Sequence, residues 1–292
     1  MIYYTLPGTG IYGGIKVGFQ TVQCLRAAGA PACAVTPDGT APTWFAASVP
    51  VMAEAEARGR LEPRDTVMFS LPDDYSRLRP LASHLVFHCQ GTDPRIDPIL
   101  ADREVPVLTG WPQATAYARA RGRDDATELG IAISDAFAWA GEAKIEGTIA
   151  AMPRRGAAVV EACQRRHPQA RVAAIDGATE AAVARQLKSS EIFLATAAGE
   201  WFGLPALEAM AAGCVVLSVP VLGGMDYLEA DFNCVLAEPD AIPAHLGRLL
   251  DPASRPLRAA LRAAARATAA RYRLPSFARR VARWLASGAL AA

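Results

Sequence analysis

Short strand-like apolar runs alternate with helix-like stretches along the whole chain. The first series is Ile2 to Leu6, Ala32 to Thr36, Thr66 to Ser70, His84 to His88, Pro106 to Thr109 and Gly130 to Ser134. Such alternation predicts a parallel α/β architecture. A second series follows, Thr148 to Met152, Arg171 to Ile175, Glu191 to Thr196, Cys214 to Ser218 and Asn233 to Ala237, again with amphipathic stretches between the runs. Two similar-sized, doubly wound halves are expected to face each other across a cleft. The alternation pauses in "DAFAWAGEAKIEG", residues 135 to 147, which puts the seam near Ala140. The domains are therefore expected at 1–140 and 141–272, with 273–292 as a C-terminal helix. In that helix Phe277, Val281, Trp284 and Leu285 share one face, as they would in an element packing back on the first domain. Ligands of doubly wound sheets bind at the carboxyl ends of the strands, so the loops that leave those ends are where chemistry is sought.

Composition adds compartment and solubility. With 292 residues, 52% of them apolar and 20% charged, the chain is long enough for two buried cores. No basic-plus-apolar leader and no uncharged membrane-length run stand in it, so a cytoplasmic protein is expected. Six cysteines, Cys24, Cys33, Cys89, Cys163, Cys214 and Cys234, are scattered without C-x-x-C pairs and read as reduced core thiols; the four histidines add no metal-ligand spacing. Net charge is only +1, yet the stretch from Arg255 onward holds nine arginines and no acid. Arg258, Arg262 and Arg266 recur every four residues on an alanine-rich helix. That stripe is either a solvated face or a surface for an anionic partner, a membrane or an acidic acceptor rather than nucleic acid.

Two segments carry candidate chemistry. The opening "LPGTGIYGGIKVG" contains Gly8, Gly10 and Gly13 in the G-x-G-x-x-G spacing of a dinucleotide turn, with Asp38 after the next strand-like run. This alone would suggest an NAD-dependent oxidoreductase. The helix is expected to begin at Gly14, which leaves Asp38 an ordinary loop residue. More informative is "AAGEWFGLPALEAMAAGCVVLSVP", residues 197 to 220. Gly203 supplies a tight backbone, Pro205 suits a first helical turn and Gly213 a C-cap, so a helix N-terminus points out of the carboxyl edge of the sheet. Its free N–H groups and positive dipole end favour a phosphate or pyrophosphate. Glu208 falls one turn in, where its carboxylate could accept from the vicinal hydroxyls of a ribose, and Glu200 hangs in the loop ahead.

The E-x7-E pair with "EWFGLPALEAMAAGCVVL" between and after it resembles the donor site of retaining nucleotide-sugar glycosyltransferases of family four, which have the GT-B fold. "YYTLPGTGIYGGIKVGFQ", "IAAMPRRGAAVVEAC" and "VLGGMDYLEADFNCVLAEPD" are similar, in order, to the glycine-rich first loop, the basic phosphate-contacting segment and the later glycine loop of that family. The resemblance implies that Glu200 contacts the transferred sugar or its phosphate and Glu208 the ribose. It implies that the backbone of Phe202, Gly203 and Leu204 cradles the pyrophosphate, with Arg155 and Arg154 neutralising it. Gly223 and Gly224 would allow close approach of the donor, and Gly13 and Gly14 would face the same diphosphate or the acceptor. The family's arginine and lysine after the first strand of this domain are replaced by the Arg154–Arg155 pair, and Cys234 stands where glycine often follows asparagine. The expected reaction is transfer of a hexose-type sugar from a UDP- or GDP-type donor to a glycan or lipid-linked acceptor, with retention. No D-x-D motif stands in a suitable loop, so no metal and no separate cofactor are expected. His88, with Gln90, either lines the site near the sugar as a catalytic group or is a hydrogen-bonded core histidine, and Trp111 either stacks on a sugar or packs. An epimerase, a phosphorylase or a non-catalytic nucleotide- or glycan-binding protein on the same scaffold are the alternatives to transfer. Bacterial surface polysaccharide or glycolipid assembly, at the inner face of the membrane, is the setting that the resemblance implies.

Overall fold

The computed structural model describes residues 1–82, 84–197 and 199–288. The chain forms two compact units, Met1–Ala132 joined by the segment from Leu274, and Ile133–Arg273. The first contains β1 (Ile2–Thr5), α1 (Gly13–Ala27), β2 (Ala32–Thr36), β3 (Val51–Ala53), α2 (Glu54–Arg60), β4 (Thr66–Phe69), α3 (Asp74–Leu78), β5 (His84–Cys89), α4 (Asp97–Ala101), β6 (Val107–Thr109), α5 (Pro112–Arg119) and β7 (Thr127–Glu128). All pairings are parallel, in the order β3-β2-β1-β4-β5-β6-β7. Strands β1, β2 and β4 are buried along their length, as expected where helices cover both faces of a parallel sheet. Strand order reverses direction between β1 and β4, so the glycine-rich loop after β1 leaves the sheet at a switch point.

The second unit contains β8 (Ile145–Ala151), α6 (Ala157–Arg166), β9 (Arg171–Ala174), α7 (Glu180–Ser189), β10 (Ser190–Ala195), α8 (Leu204–Ala211), β11 (Val215–Ser218), β12 (Val235–Leu236), α9 (Ile242–Leu250) and α10 (Arg255–Ala270). Its sheet is also parallel, in the order β12-β11-β10-β8-β9, with the switch between β8 and β10. Ile149, Ile192, Leu194, Val215 and Leu217 form the middle of its core, closed by Leu246 and Leu249 of α9 and Leu261 of α10. The last helix, α11 (Leu274–Ala286), belongs to the first unit, where Phe277, Val281 and Trp284 join the core of Tyr4, Ile15, Phe19 and Val22.

Several sequence expectations are altered. Gly130 to Ser134 is not a strand. Gly130 turns the chain at φ +85°, and the N–H groups of Leu129 and Gly130 both reach Thr109 O, so Ile131, Ala132 and Ile133 are buried outside any strand, with Ile133 in an isolated bridge to Arg273. The division between units falls after Ala132 instead of near Ala140. Ile133 bridges Arg273 and Trp139 lies against Gly213, which ties residues 135 to 147 to the second unit. Helix α1 begins at Gly13, one residue before Gly14. All six cysteines are free and buried.

Candidate functional site

In the second unit, the neighbouring strands β8 and β10 send out the two loops that flank the switch point. The loop after β8 carries Arg154, Arg155 and Gly156; the loop after β10 carries Glu200, Phe202 and Gly203 and enters α8. Gly203 has φ 79° and ψ 45°, a left-handed conformation in which a Cβ costs about 1–2 kcal/mol. It is the N-cap of α8 and Pro205 lies in the first turn, so a glycine kink aims the helix N-terminus outward with no side-chain cap on it. Gly156 permits a second close approach, since a Cβ there would lie 2.4 Å from Thr196 O at the end of β10.

Charge concentrates on these loops. Arg155, at φ 62°, places Nη1 3.3 Å from Oε1 of Glu200. The two side chains are 51% and 32% exposed, so the pair contributes about 0–1 kcal/mol to stability and can be opened by a ligand. Glu208, in α8, is 8% exposed. A third loop closes the site: Leu222 N–H donates to Glu200 O at 2.8 Å, and a Cβ on Gly224 would lie 2.3 Å from Phe202 O. Gly223, at φ −126°, precedes the tight turn Gly224–Asp226. Arg155, Glu200, Phe202, Gly203, Leu204, Glu208, Gly223 and Gly224 thus gather at one sheet edge, with Arg154 beside them in sequence.

Two residues of this region escaped the sequence reading. Tyr227 is fully buried, and its hydroxyl donates to Gly203 O at 2.6 Å. Asn233, also fully buried, accepts from Glu229 N–H at 2.9 Å and donates to Tyr227 O at 2.8 Å and to Thr268 Oγ1 at 3.0 Å. A lone tyrosine just after a Gly-Gly turn was the one available signal.

Gly13, Gly14 and His88 lie in the first unit. A Cβ on Gly14 would lie 2.8 Å from Gln90 Oε1, so the start of α1 and the end of β5 meet closely. Gln90 Nε2 donates to Tyr4 Oη at 3.1 Å, and Tyr4 Oη lies 2.9 Å from His88 Nδ1. His88 has no exposed surface and no hydrogen-bond partner at Nε2; burial pushes its pKa down from 6.5 to about 4, so it is neutral at pH 7. Direct contact between His88 and a sugar, expected of a catalytic group, is closed in this conformation, and the network reaches outward through Gln90. Trp111 is 1% exposed and packs in the core. Asp38 bonds the hydroxyl and N–H of Thr40 as a loop turn, with no helix start beside it.

The arginine stripe is partly spent on internal partners. Arg258, 3% exposed, donates to Glu191 at 2.9 Å and to Leu249 O and Asp251 O at the end of α9. Arg262 donates to Gly213 O past the end of α8 at 2.8 Å, and the Arg266 guanidinium lies 4.7 Å from the Trp139 ring centroid. Arg258 and Arg262 thus complement helix carboxyl ends, while Arg266 remains exposed at the surface. Among the described residues, no helix is long and apolar enough to cross a membrane, and no group of three His, Cys, Asp or Glu is placed to hold a metal ion.

Residues 158–268, the body of the second unit, match the family described as "Glycosyl transferases group 1". No curated protein matches the chain. Among solved structures it is similar to HepE of Anabaena in complex with UDP-glucose, with TM-score 0.74 at 12% identity over 98% of this chain and 99% of that one. Sucrose-phosphate synthase of Thermosynechococcus elongatus gives TM-score 0.74 at 15% identity, covering 100% and 99%. WaaG, a glycosyltransferase involved in lipopolysaccharide biosynthesis, gives 0.71 at 13%, covering 97% and 99%. With its two parallel-sheet α/β units, the chain has the GT-B fold, and its second unit carries the group 1 glycosyl transferase match.

Proposed function

We propose that the protein transfers a hexose-type sugar from a UDP- or GDP-sugar to a glycan or lipid-linked acceptor, with retention of configuration and without a metal ion. The observation that carries the reading is the Arg155–Glu200 pair at 3.3 Å, set beside the glycine-kinked N-terminus of α8 at the switch point of the second sheet. The family match over residues 158–268 supports it, as does the likeness in fold to HepE, which was captured with UDP-glucose.

In this reading Arg155 and Arg154, with the N–H groups at the start of α8, stabilise the charge that grows on the leaving diphosphate. Glu200 takes the sugar hydroxyls when Arg155 turns to phosphate, and Glu208 accepts from the ribose diol. The bond from sugar C1 to the diphosphate oxygen breaks as the acceptor oxygen bonds C1 on the same face. The acceptor proton passes to a phosphate oxygen of the departing diphosphate. No protein nucleophile is used, and the guanidinium groups and helix dipole supply the charge that a cation would otherwise bring.

Thermal shift with UDP, GDP and NAD tests the proposal. One nucleoside diphosphate is expected to raise the melting temperature in a saturable way, and mass spectrometry of donor hydrolysis then names the sugar. Stabilisation by NAD alone would return the opening glycines to a dinucleotide role and remove the transferase reading.

A further inference from the structure

Tyr227 stands where two loops of the candidate site are joined. Its ring lies 5.2 Å from that of Phe202 and 6.0 Å from that of Tyr272, while Phe202 and Tyr272 are 5.9 Å apart, centroid to centroid. The phenol is the only polar atom of its side chain, and it is spent on Gly203 O, the carbonyl that also accepts from Ala206 N–H in the first turn of α8. On its main-chain side Tyr227 closes the Gly224–Asp226 turn by donating N–H to Gly224 O at 3.1 Å, and its own carbonyl is held by buried Asn233. A Cβ on Gly224 would lie 3.1 Å from the Tyr227 ring, and one on Gly203 would lie 3.1 Å from its hydroxyl. The ring is therefore wedged between the two glycines that shape the site, with no slack on either side.

We propose that Tyr227 is a positioning residue for the nucleotide sugar: its hydroxyl locks the left-handed Gly203 kink, and so fixes where the α8 N-terminus and Glu200 present themselves to the diphosphate. Among the described residues, loop 199–203 is stitched to loop 222–227 by Leu222 N–H to Glu200 O, the close approach of Gly224 to Phe202 O, the Phe202–Tyr227 ring contact and the Tyr227 hydroxyl to Gly203 O. Of the two hydrogen bonds only the Tyr227 one comes from a side chain, and Tyr227→Phe deletes it while keeping the ring contact. Glycine at 203 makes that dependence acute, because a residue without Cβ has wide backbone freedom and, without the phenol, its carbonyl keeps the Ala206 N–H but loses its tie to the other loop. Burial first, and then Cys234 and Tyr272 ahead of the carboxylates Glu200 and Glu208, hold the phenol well above its usual titration range, so it remains a donor at any working pH.

The inference rests on the proposed nucleotide-sugar site, and its test separates the two. Calorimetry with UDP and with GDP on the wild type comes first; a wild type that takes up neither overturns both ideas. Given binding, Tyr227→Phe keeps the ring and deletes one hydrogen bond, and is expected to weaken the bound nucleotide about fivefold to tenfold. KM for the sugar nucleotide should rise by a similar factor with kcat lowered less. Ser190→Ala, which removes the 2.8 Å bond from Ser190 Oγ to Gln186 O at the opposite end of β10, gauges general loosening. If Tyr227→Phe binds nucleotide as the wild type does, or loses affinity only in step with a melting-temperature loss matched by Ser190→Ala, Tyr227 is merely structural and the inference fails.

Discussion

Replacing His88 by glutamine probes the buried network of the first unit through its pH dependence. The imidazole is fully buried, bonded only to Tyr4, and titrates near 4 rather than 6.5 because desolvation disfavours its charged form. The sign follows from linkage. An unfolded chain binds the proton from pH 6.5 downward while the folded one resists until about 4, so the stability contribution is fully present above 6.5 and is lost as pH falls through that window. The loss works out to about 2 kcal/mol by pH 5 and about 3 kcal/mol by pH 4. Urea unfolding of wild type and His88→Gln, each at pH 7 and pH 5, isolates it. The wild type should lose about 2 kcal/mol more than the variant between the two pH values, whatever the absolute stability of either. Imidazole resonances, assigned by their disappearance in the variant, should show His88 titrating near 4. Parallel pH slopes, or an imidazole midpoint above 6, would refute the reasoning and show that water or a counter-charge reaches the ring.

The carboxylates should separate in function. Glu208→Ala is expected to weaken UDP or GDP binding about tenfold, while Glu200→Ala spares binding and lowers kcat by about 10²-fold, as read by calorimetry and initial rates; unchanged kinetics in both would remove the site assignment. Arg258→Ala takes the donor from two carbonyls at the end of α9 and leaves half-buried Glu191 with Arg262 at 3.9 Å and the Gly147 N–H, and should lower the stability of the second unit by about 3 kcal/mol in chemical unfolding. A neutral result would return Arg258 to the surface role that its sequence spacing suggests.

Strands β10 and β11 were legible because Ile192–Leu194 and Val215–Leu217 are fully buried, unbroken apolar runs. Strand β3 was not: Val51–Ala53 is three half-buried residues at a sheet edge, preceded by a proline-punctuated stretch with no alternation. Gly130 to Ser134 misled in the opposite direction, since Ile131 and Ile133 are buried outside any strand and an apolar run records burial without naming the partner. The arginines of α10 show the same limit for charge. Their four-residue spacing is a property of the helix, whereas the acceptors, Gly213 O, Leu249 O and Glu191, come from three other elements that only the tertiary fold brings near. At the candidate site the E-x7-E loop was readable because glycine, proline and glutamate each have a local reason to stand there. Tyr227 was silent because its role is to touch a carbonyl twenty-four residues away in the chain.

The return of α11 to the first unit has a consequence for how the molecule is made. Phe277, Val281 and Trp284 complete a hydrophobic core whose other members, such as Tyr4 and Phe19, are synthesised before any of the second unit. Every residue of Ile133–Arg273 must leave the ribosome before that core can close. The second unit, continuous in sequence, can reach its final form during synthesis, while the opening unit waits with an apolar face uncovered. In the order of manufacture, the half of the protein that comes first is the last to be finished.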